Sequence, residues 1–174
     1  MDKHTFAALA WENRETLYRI AKSVLKQDAD CEDAVSQAIV NGMASLPKLK
    51  RDEYAKTWLV RIVLNECYRI LNARKRMQPY ERVEQEQSEK WRQSQGKSME
   101  SVSSFVEYSE LYQALMELPV EMRTALVLFY VEEWDIRKIA RAQKVMTGTV
   151  KSRLSRGRKK LRELLEKEGV SYER

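Results

Sequence analysis

The chain has 174 residues, a net charge of +6, three prolines, five glycines and two cysteines. That length suits one ordinary domain or two small ones. The abundance of Leu, Ala, Glu, Lys, Arg and Gln favours helices, and no stretch alternates as a strand would. Cys31 and Cys67 lack metal-ligand spacing and stand with a single histidine, His4, so they read as reduced packing thiols and exclude a structural zinc site. No apolar run approaches the roughly 20 residues of a membrane span, and the amino terminus carries charges throughout, which predicts a cytoplasmic protein.

Helical spacing of Phe6, Leu9, Ala10, Leu17, Ile20, Ala21 and Val24 predicts a first helix over Thr5–Leu25. Asp28 or Asp30 can cap the second, and Pro47 ends it near Leu46. After the charged loop KLKRDEY, a third helix is expected from about Tyr54 to Arg76. Leu59, Ile62, Val63, Ile70 and Leu71 form its packing face. Arg61, Asn65, Tyr68, Arg69, Asn72 and Arg76 recur on another side, a mixture of cations, amides and an aromatic suited to a nucleic-acid strand.

From Met77 to about Ser104 the composition turns to Gln, Glu and Ser, with only Val83 and Trp91 to bury, which predicts a flexible linker. The chain therefore reads as all-α: two small helical domains, 1–76 and 105–174, joined by residues 77–104. Beyond the linker, Leu111, Ala114, Leu115 and Leu118 precede Pro119, which suits the first turn of a helix carrying Met122, Ala125, Leu126, Leu128 and Phe129. Asp135 caps a short helix with Ile136, Ile139 and Ala140 inward, and Thr147 is the expected cap of a last helix from Gly148 to about Lys167.

At 100° per residue, Val150, Leu154, Gly157, Leu161 and Leu165 form one stripe of that last helix. Opposite lie Thr149, Ser152, Arg156 and Lys159, flanked by Lys151, Arg153, Arg158 and Lys160. A short helix, a turn and a helix with outward hydroxyls and arginines form a helix-turn-helix pattern, whose second helix enters the major groove. Thr149, Ser152, Arg153 and Arg156 are placed to touch bases; Lys159, Lys160 and Arg162 are placed to meet phosphates. Charge supports two DNA contacts: residues 135–165 hold 11 Lys and Arg against 2 acids, and residues 61–81 hold 5 against 2.

With these residues in place, the chain resembles the extracytoplasmic-function sigma factors of the sigma-70 family, over roughly Leu17 to Leu165. DCEDAVSQAI (30–39) is similar to the helix that binds the clamp helices of the largest polymerase subunit. TWLVRIVLNECYRILNARKR (57–76) is similar to the segment that melts and reads the −10 element. ALMELPVEMRTALVLFYVEEW (114–134) and DIRKIARAQKVMTGTVKSRLSRGRKKL (135–161) are similar to the carboxy-terminal domain and its −35-reading helix-turn-helix.

The resemblance implies polymerase contacts through Asp33, Ser36, Gln37 and Val40, and −10 contacts through Arg61, Asn65, Tyr68, Arg69, Asn72 and Arg76. It implies −35 contacts through Thr149, Lys151, Ser152, Arg153, Arg156, Lys159 and Lys160. An extruded base would enter a pocket made by the loop Leu49 to Tyr54 and Asn65. The partners implied are core RNA polymerase, promoter DNA and an anti-sigma factor, often membrane-bound; no cofactor, metal, small-molecule substrate or enzymatic activity is implied. Two departures stand out. Ser36 and Gln37 replace a usual acidic and glutamine pair, and Gln143 and Lys144 stand where a leucine and a glycine are common, which predicts a strained turn at Lys144.

The competing readings are a helix-turn-helix regulator acting without polymerase and a recombinase with a helix-turn-helix tail. The first leaves the basic patch at Arg61–Arg76 unexplained. The second requires an α/β domain for which no strand pattern exists.

Overall fold

A computed structural model describes residues 1–77 and 109–167 of the chain. All the regular secondary structure of the described residues is helical. The predicted linker falls almost wholly outside them.

The amino-terminal group comprises α1 (Lys3–Glu12), α2 (Arg14–Lys22), α3 (Asp28–Ser45) and α4 (Ala55–Met77), with 3-10 turns at Leu46–Lys48 and Asp52–Tyr54. The expected first helix is divided in two. Asn13 leaves the helical conformation, with φ −101° and ψ +10°, and its side-chain amide donates to the Leu9 carbonyl at 2.8 Å, competing with its own backbone N–H at 3.2 Å. Neither Asp28 nor Asp30 caps α3; Gln27 holds that position without a side-chain bond, and both acids lie in the first turn. There the positive end of the helix dipole favours them. Asp28 accepts from the Tyr18 hydroxyl at 2.7 Å and pairs with Lys22, while Asp30 pairs with Arg74 at 2.7 Å.

Phe6, Leu17, Ile20, Val24, Cys31, Ala34 and Ala38 fill this core. Phe6 meets the ring of Trp58 edge-on at 6.0 Å and lies so close to Gly42 that a Cβ there would be 2.6 Å from Phe6 Cζ. The buried thiols of Cys31 and Cys67 are unpaired by any disulfide. Burial pushes Cys31 up to about 12 and raises Cys67 as well, keeping both protonated.

The inward face of α4 is wider than its periodicity suggests. Leu59 and Val63 are buried as expected, but so are Val60, Leu64 and Cys67, while Ile62, Ile70 and Leu71 remain half-buried. The reason is that α4 packs on α1–α3 on one side and on the carboxy-terminal helices on another.

The carboxy-terminal group comprises α5 (Ser109–Glu117), α6 (Val120–Leu126), which continues into a π-helical turn at Val127–Val131, then α7 (Ile136–Gln143) and α8 (Thr147–Lys167). Pro119 begins α6 and the Asp135 side chain caps α7, accepting from Lys138 N–H at 2.9 Å. Thr147 is not the cap of α8 but its first helical residue. The Met146 carbonyl accepts the first helical bonds, from the N–H groups of Thr149 and Val150 at 3.0 and 3.2 Å. Two residues past the π turn, Glu133 has φ of +53° and precedes Trp134, which lies in the core at 3% exposure.

Candidate nucleic-acid interface

The helix-turn-helix is α7, a turn through Lys144, and α8. Lys144 does adopt the left-handed conformation, φ +53° and ψ +45°, and Val145 N–H reaches back to the Ala140 carbonyl at 3.0 Å. The carbonyl bond that closes the helix holds a lysine where glycine would be unstrained. On α8, Val150, Leu154, Gly157 and Leu165 are buried, and Leu161 is half-buried. The glycine permits close packing: a Cβ on Gly157 would lie 3.2 Å from Leu126 Cδ1.

This anchoring turns the predicted reading residues outward. Thr149, Lys151, Arg156, Lys159 and Lys160 are exposed, and Ser152 and Arg153 are half-buried. Arg156 Nε leans on the Ser152 carbonyl at 3.4 Å, a long bond that leaves the guanidinium at the surface. Arg153 differs, because its Nη1 donates to Gln143 Oε1 at 2.8 Å, so the unusual turn residue Gln143 holds it against α7. From Thr149 to Lys160 the helix rises about 16 Å, enough to carry base-directed groups at one end and phosphate-directed lysines at the other.

The second set lies on α4. Asn65, Arg69, Asn72 and Arg76 are exposed, whereas Arg61 and Tyr68 are half-buried. Arg69 Nε donates to Glu66 Oε2 at 2.8 Å, and Glu66 Oε1 accepts from Asn41 Nδ2 at 2.8 Å, which fixes the arginine on the surface of the bundle. Tyr68 lies beside Thr124 and among the charges of Glu121 and Arg153, with burial raising its hydroxyl above the ordinary tyrosine value. Tyr54, at the end of the loop before α4, is 39% exposed and lies under the Arg141 guanidinium, 5.1 Å from the ring centroid.

The third set occupies α3. Asp33, Ser36, Gln37 and Val40 are all exposed, and at steps of three, four and seven residues they share one face. Val40 is 59% exposed, an apolar group at the carboxy-terminal end of this otherwise polar row. Gln37 Nε2 donates to Asn41 Oδ1 at 3.0 Å, joining this face to the Glu66–Arg69 pair.

Residues 9–77 match the family described as Sigma-70 region 2, and residues 108–161 match Sigma-70, region 4. The ECF RNA polymerase sigma factor SigM of Mycobacterium tuberculosis is 30% identical over 164 residues, a match spanning 94% of this chain and 79% of that protein. The chain belongs to the ECF RNA polymerase sigma factors. As a member it directs RNA polymerase to promoters.

This sigma factor is also similar to the RNA polymerase sigma factor SigV of Bacillus subtilis, at 27% identity over 92% of this chain and 90% of SigV. Among solved structures its fold is similar to that of the sigma factor RpoE from Bartonella quintana, crystallised with the anti-sigma factor NepR. That likeness has a TM-score of 0.70 and 24% identity over 93% of this chain and 97% of the other. The two matched regions coincide with the two helical groups, so α4 closes region 2 and α7–α8 lie in region 4.

Sequence reasoning missed Arg123, Thr124 and Glu132. Arg123 is 3% exposed and donates to backbone carbonyls of both helical groups, while Glu132 is paired with Arg19 at 2.9 Å. No local pattern marks such residues: an arginine in α6 reads as a surface cation until its neighbours are known.

Proposed function

We propose that the three sets divide promoter recognition among them. Asp33, Ser36, Gln37 and Val40 on α3 bind the clamp helices of the largest polymerase subunit. Thr149, Lys151, Ser152, Arg153, Arg156, Lys159 and Lys160 on α8 read the −35 element. Arg61, Asn65, Tyr68, Arg69, Asn72 and Arg76 on α4, with the loop before it, capture and melt the −10 element. The units are residues 1–76 and 105–174, joined by 77–104. The chain supplies no catalysis and uses no cofactor, metal or small-molecule substrate; polymerase performs the chemistry in the cytoplasm. The similar RpoE is crystallised with the anti-sigma factor NepR, and an anti-sigma factor of this chain, covering these surfaces and anchored at the membrane, belongs to the same proposal.

The observation that carries this reading is the pairing of two basic faces on separate helices, one anchored in a helix-turn-helix and one bearing amides and an aromatic among its arginines. A duplex-only regulator uses the first and has no task for the second. Capturing an extruded base must offset a few kcal/mol of unstacking, and an exposed amide such as that of Asn65 can bond a base edge that becomes available only after opening.

Asn65→Ala is therefore expected to leave binding to core polymerase unchanged in size-exclusion chromatography while reducing permanganate-reactive open promoter by tenfold or more, roughly the 1–3 kcal/mol of one good base contact. Loss of polymerase binding in this variant would remove Asn65 from the −10 surface.

A further inference from the structure

Gln143, one of the two residues that stand where a leucine and a glycine are common, has a partner on the reading helix. It is the last residue of α7, and its Oε1 accepts from Arg153 Nη1 at 2.8 Å. Its Nε2 points the other way, towards the Glu121 carbonyl near the start of α6, a long bond of 3.5 Å. The left-handed Lys144 follows directly, and the bond from Val145 N–H to the Ala140 carbonyl fixes the backbone from which the Gln143 side chain leaves. The amide thus spans three helices from a fixed base, with its oxygen turned to a group that can only donate.

Arg153 is unlike its neighbours. Around α8 it stands about 60° from the buried Val150, whereas Arg156 stands about 120° away and Lys159 is opposite. It is half-buried at the edge of the packed stripe, while Arg156 is exposed and leans only on its own helix, through the Ser152 carbonyl. In a bound helix-turn-helix the first helix crosses the DNA backbone and the second enters the groove. A guanidinium tethered to the end of α7 is therefore carried to the wall of the groove, where phosphates lie, and not to its floor. The tether is also neutral. Glu66 holds Arg69 with a carboxylate, which offsets its charge, but an amide orients Arg153 and leaves its full positive charge for a phosphate.

We infer that Gln143 is a positioning residue for −35 recognition: by holding Arg153 at the flank of α8, it assigns that arginine to a backbone phosphate and takes it out of the base-facing set that helical periodicity predicts. The inference rests on the proposed assignment of α8 to −35 reading. Setting the side chain in advance reduces the rotamer freedom lost when DNA binds. It also protects sequence choice. A released arginine can reach a guanine edge and add a preference of its own, whereas a tethered one leaves the choice to Thr149, Ser152 and Arg156.

The test titrates holoenzyme, formed from core polymerase and the full chain, against a −35 duplex selected from a randomised library and its single-base variants, at several salt concentrations. Arg153→Ala is expected to weaken binding to every sequence alike, by about three- to tenfold, and to reduce the salt dependence by about one counterion. Gln143→Leu is expected to weaken the selected duplex about threefold and to change the preference at one base position, whereas Gln143→Glu, which keeps an acceptor oxygen, retains the wild-type base profile. In the Arg153→Ala background Gln143→Leu has no further effect, because it acts only through that arginine. A base-specific loss from Arg153→Ala would overturn the assignment. So would an equal loss from Gln143→Leu with and without Arg153, which would make Gln143 a packing residue of the turn. Arg156→Ala separates this inference from the reading beneath it. A holoenzyme with no base preference, in which Arg156→Ala costs nothing, would remove α8 from −35 reading, yet the coupling of Gln143 to Arg153 is still measured by affinity and salt dependence on any duplex.

Discussion

Phe6→Ala is expected to lower the stability of the amino-terminal helices by about 3–5 kcal/mol, the usual cost of emptying a fully buried aromatic site. Phe6 is 0% exposed, its ring edge meets Trp58, and its tip fills the space that Gly42 leaves open on α3. The same geometry makes Gly42→Ala damaging by itself. A Cβ at 2.6 Å from Phe6 Cζ forces the ring against its neighbours, and overpacking of this kind costs about 1–3 kcal/mol. In the Phe6→Ala background the new methyl group enters vacated space and costs little.

The double mutant is therefore expected to be more stable than the sum of the two singles predicts, by more than about 1 kcal/mol, in urea unfolding followed by circular dichroism. Additive losses would mean that the two side chains do not share this contact. The consequence reaches the proposed function because Gly42 and the exposed residues Asp33, Ser36, Gln37 and Val40 belong to one helix: shifting α3 against α1 moves the whole row proposed to meet polymerase.

Arg156→Ala is expected to reduce holoenzyme affinity for its preferred −35 element by about 10- to 100-fold, the 1–3 kcal/mol of a bidentate contact with guanine. It should also flatten the preference at one base position while leaving affinity for other sequences little changed. Lys159→Ala, one turn nearer the end of α8 proposed to meet phosphates, should weaken binding to all sequences alike and reduce the salt dependence by about one counterion. Competition binding across single-base variants of the element, repeated at several salt concentrations, separates the two. A uniform loss from Arg156→Ala, or a base-specific loss from Lys159→Ala, would reverse the assignment of the two ends of α8. The exposure of both side chains, beside the buried Val150, Leu154 and Gly157, is what makes truncation a test of contact and not of folding.

The helical class, the placement of α3, α4 and α8 and the stripe Val150–Leu165 were legible in the sequence because each depends on period, composition and breakers that act locally. Pro119 and Asp135 likewise act on their own turns, and both sit at helix starts as expected. The strained Lys144 could be foreseen because a helix-turn-helix turn calls for a left-handed residue whatever side chain occupies it. What escaped depends on contacts made at a distance or on competition between nearby bonds. Asn13 divides the first helix by leaving the helical conformation while its amide competes for the Leu9 carbonyl, a choice that periodicity does not register. Val60, Leu64 and Cys67 are buried because α4 is covered on two sides, and no single helix reveals how many neighbours it will have. Arg61 and Tyr68 look like free members of an exposed row, yet both are half-buried, Tyr68 beside Thr124 of α6. The π turn at Val127–Val131 has no marker of its own among apolar residues that would fit an ordinary helix equally well.

The most direct measurement is run-off transcription with the full chain, core RNA polymerase and a library of randomised promoters. Transcripts that depend on the chain, arising from templates that share one upstream duplex element and one melted downstream element, are the predicted result. No transcripts with any bacterial core enzyme, together with tight binding of the isolated chain to duplex DNA, would contradict it.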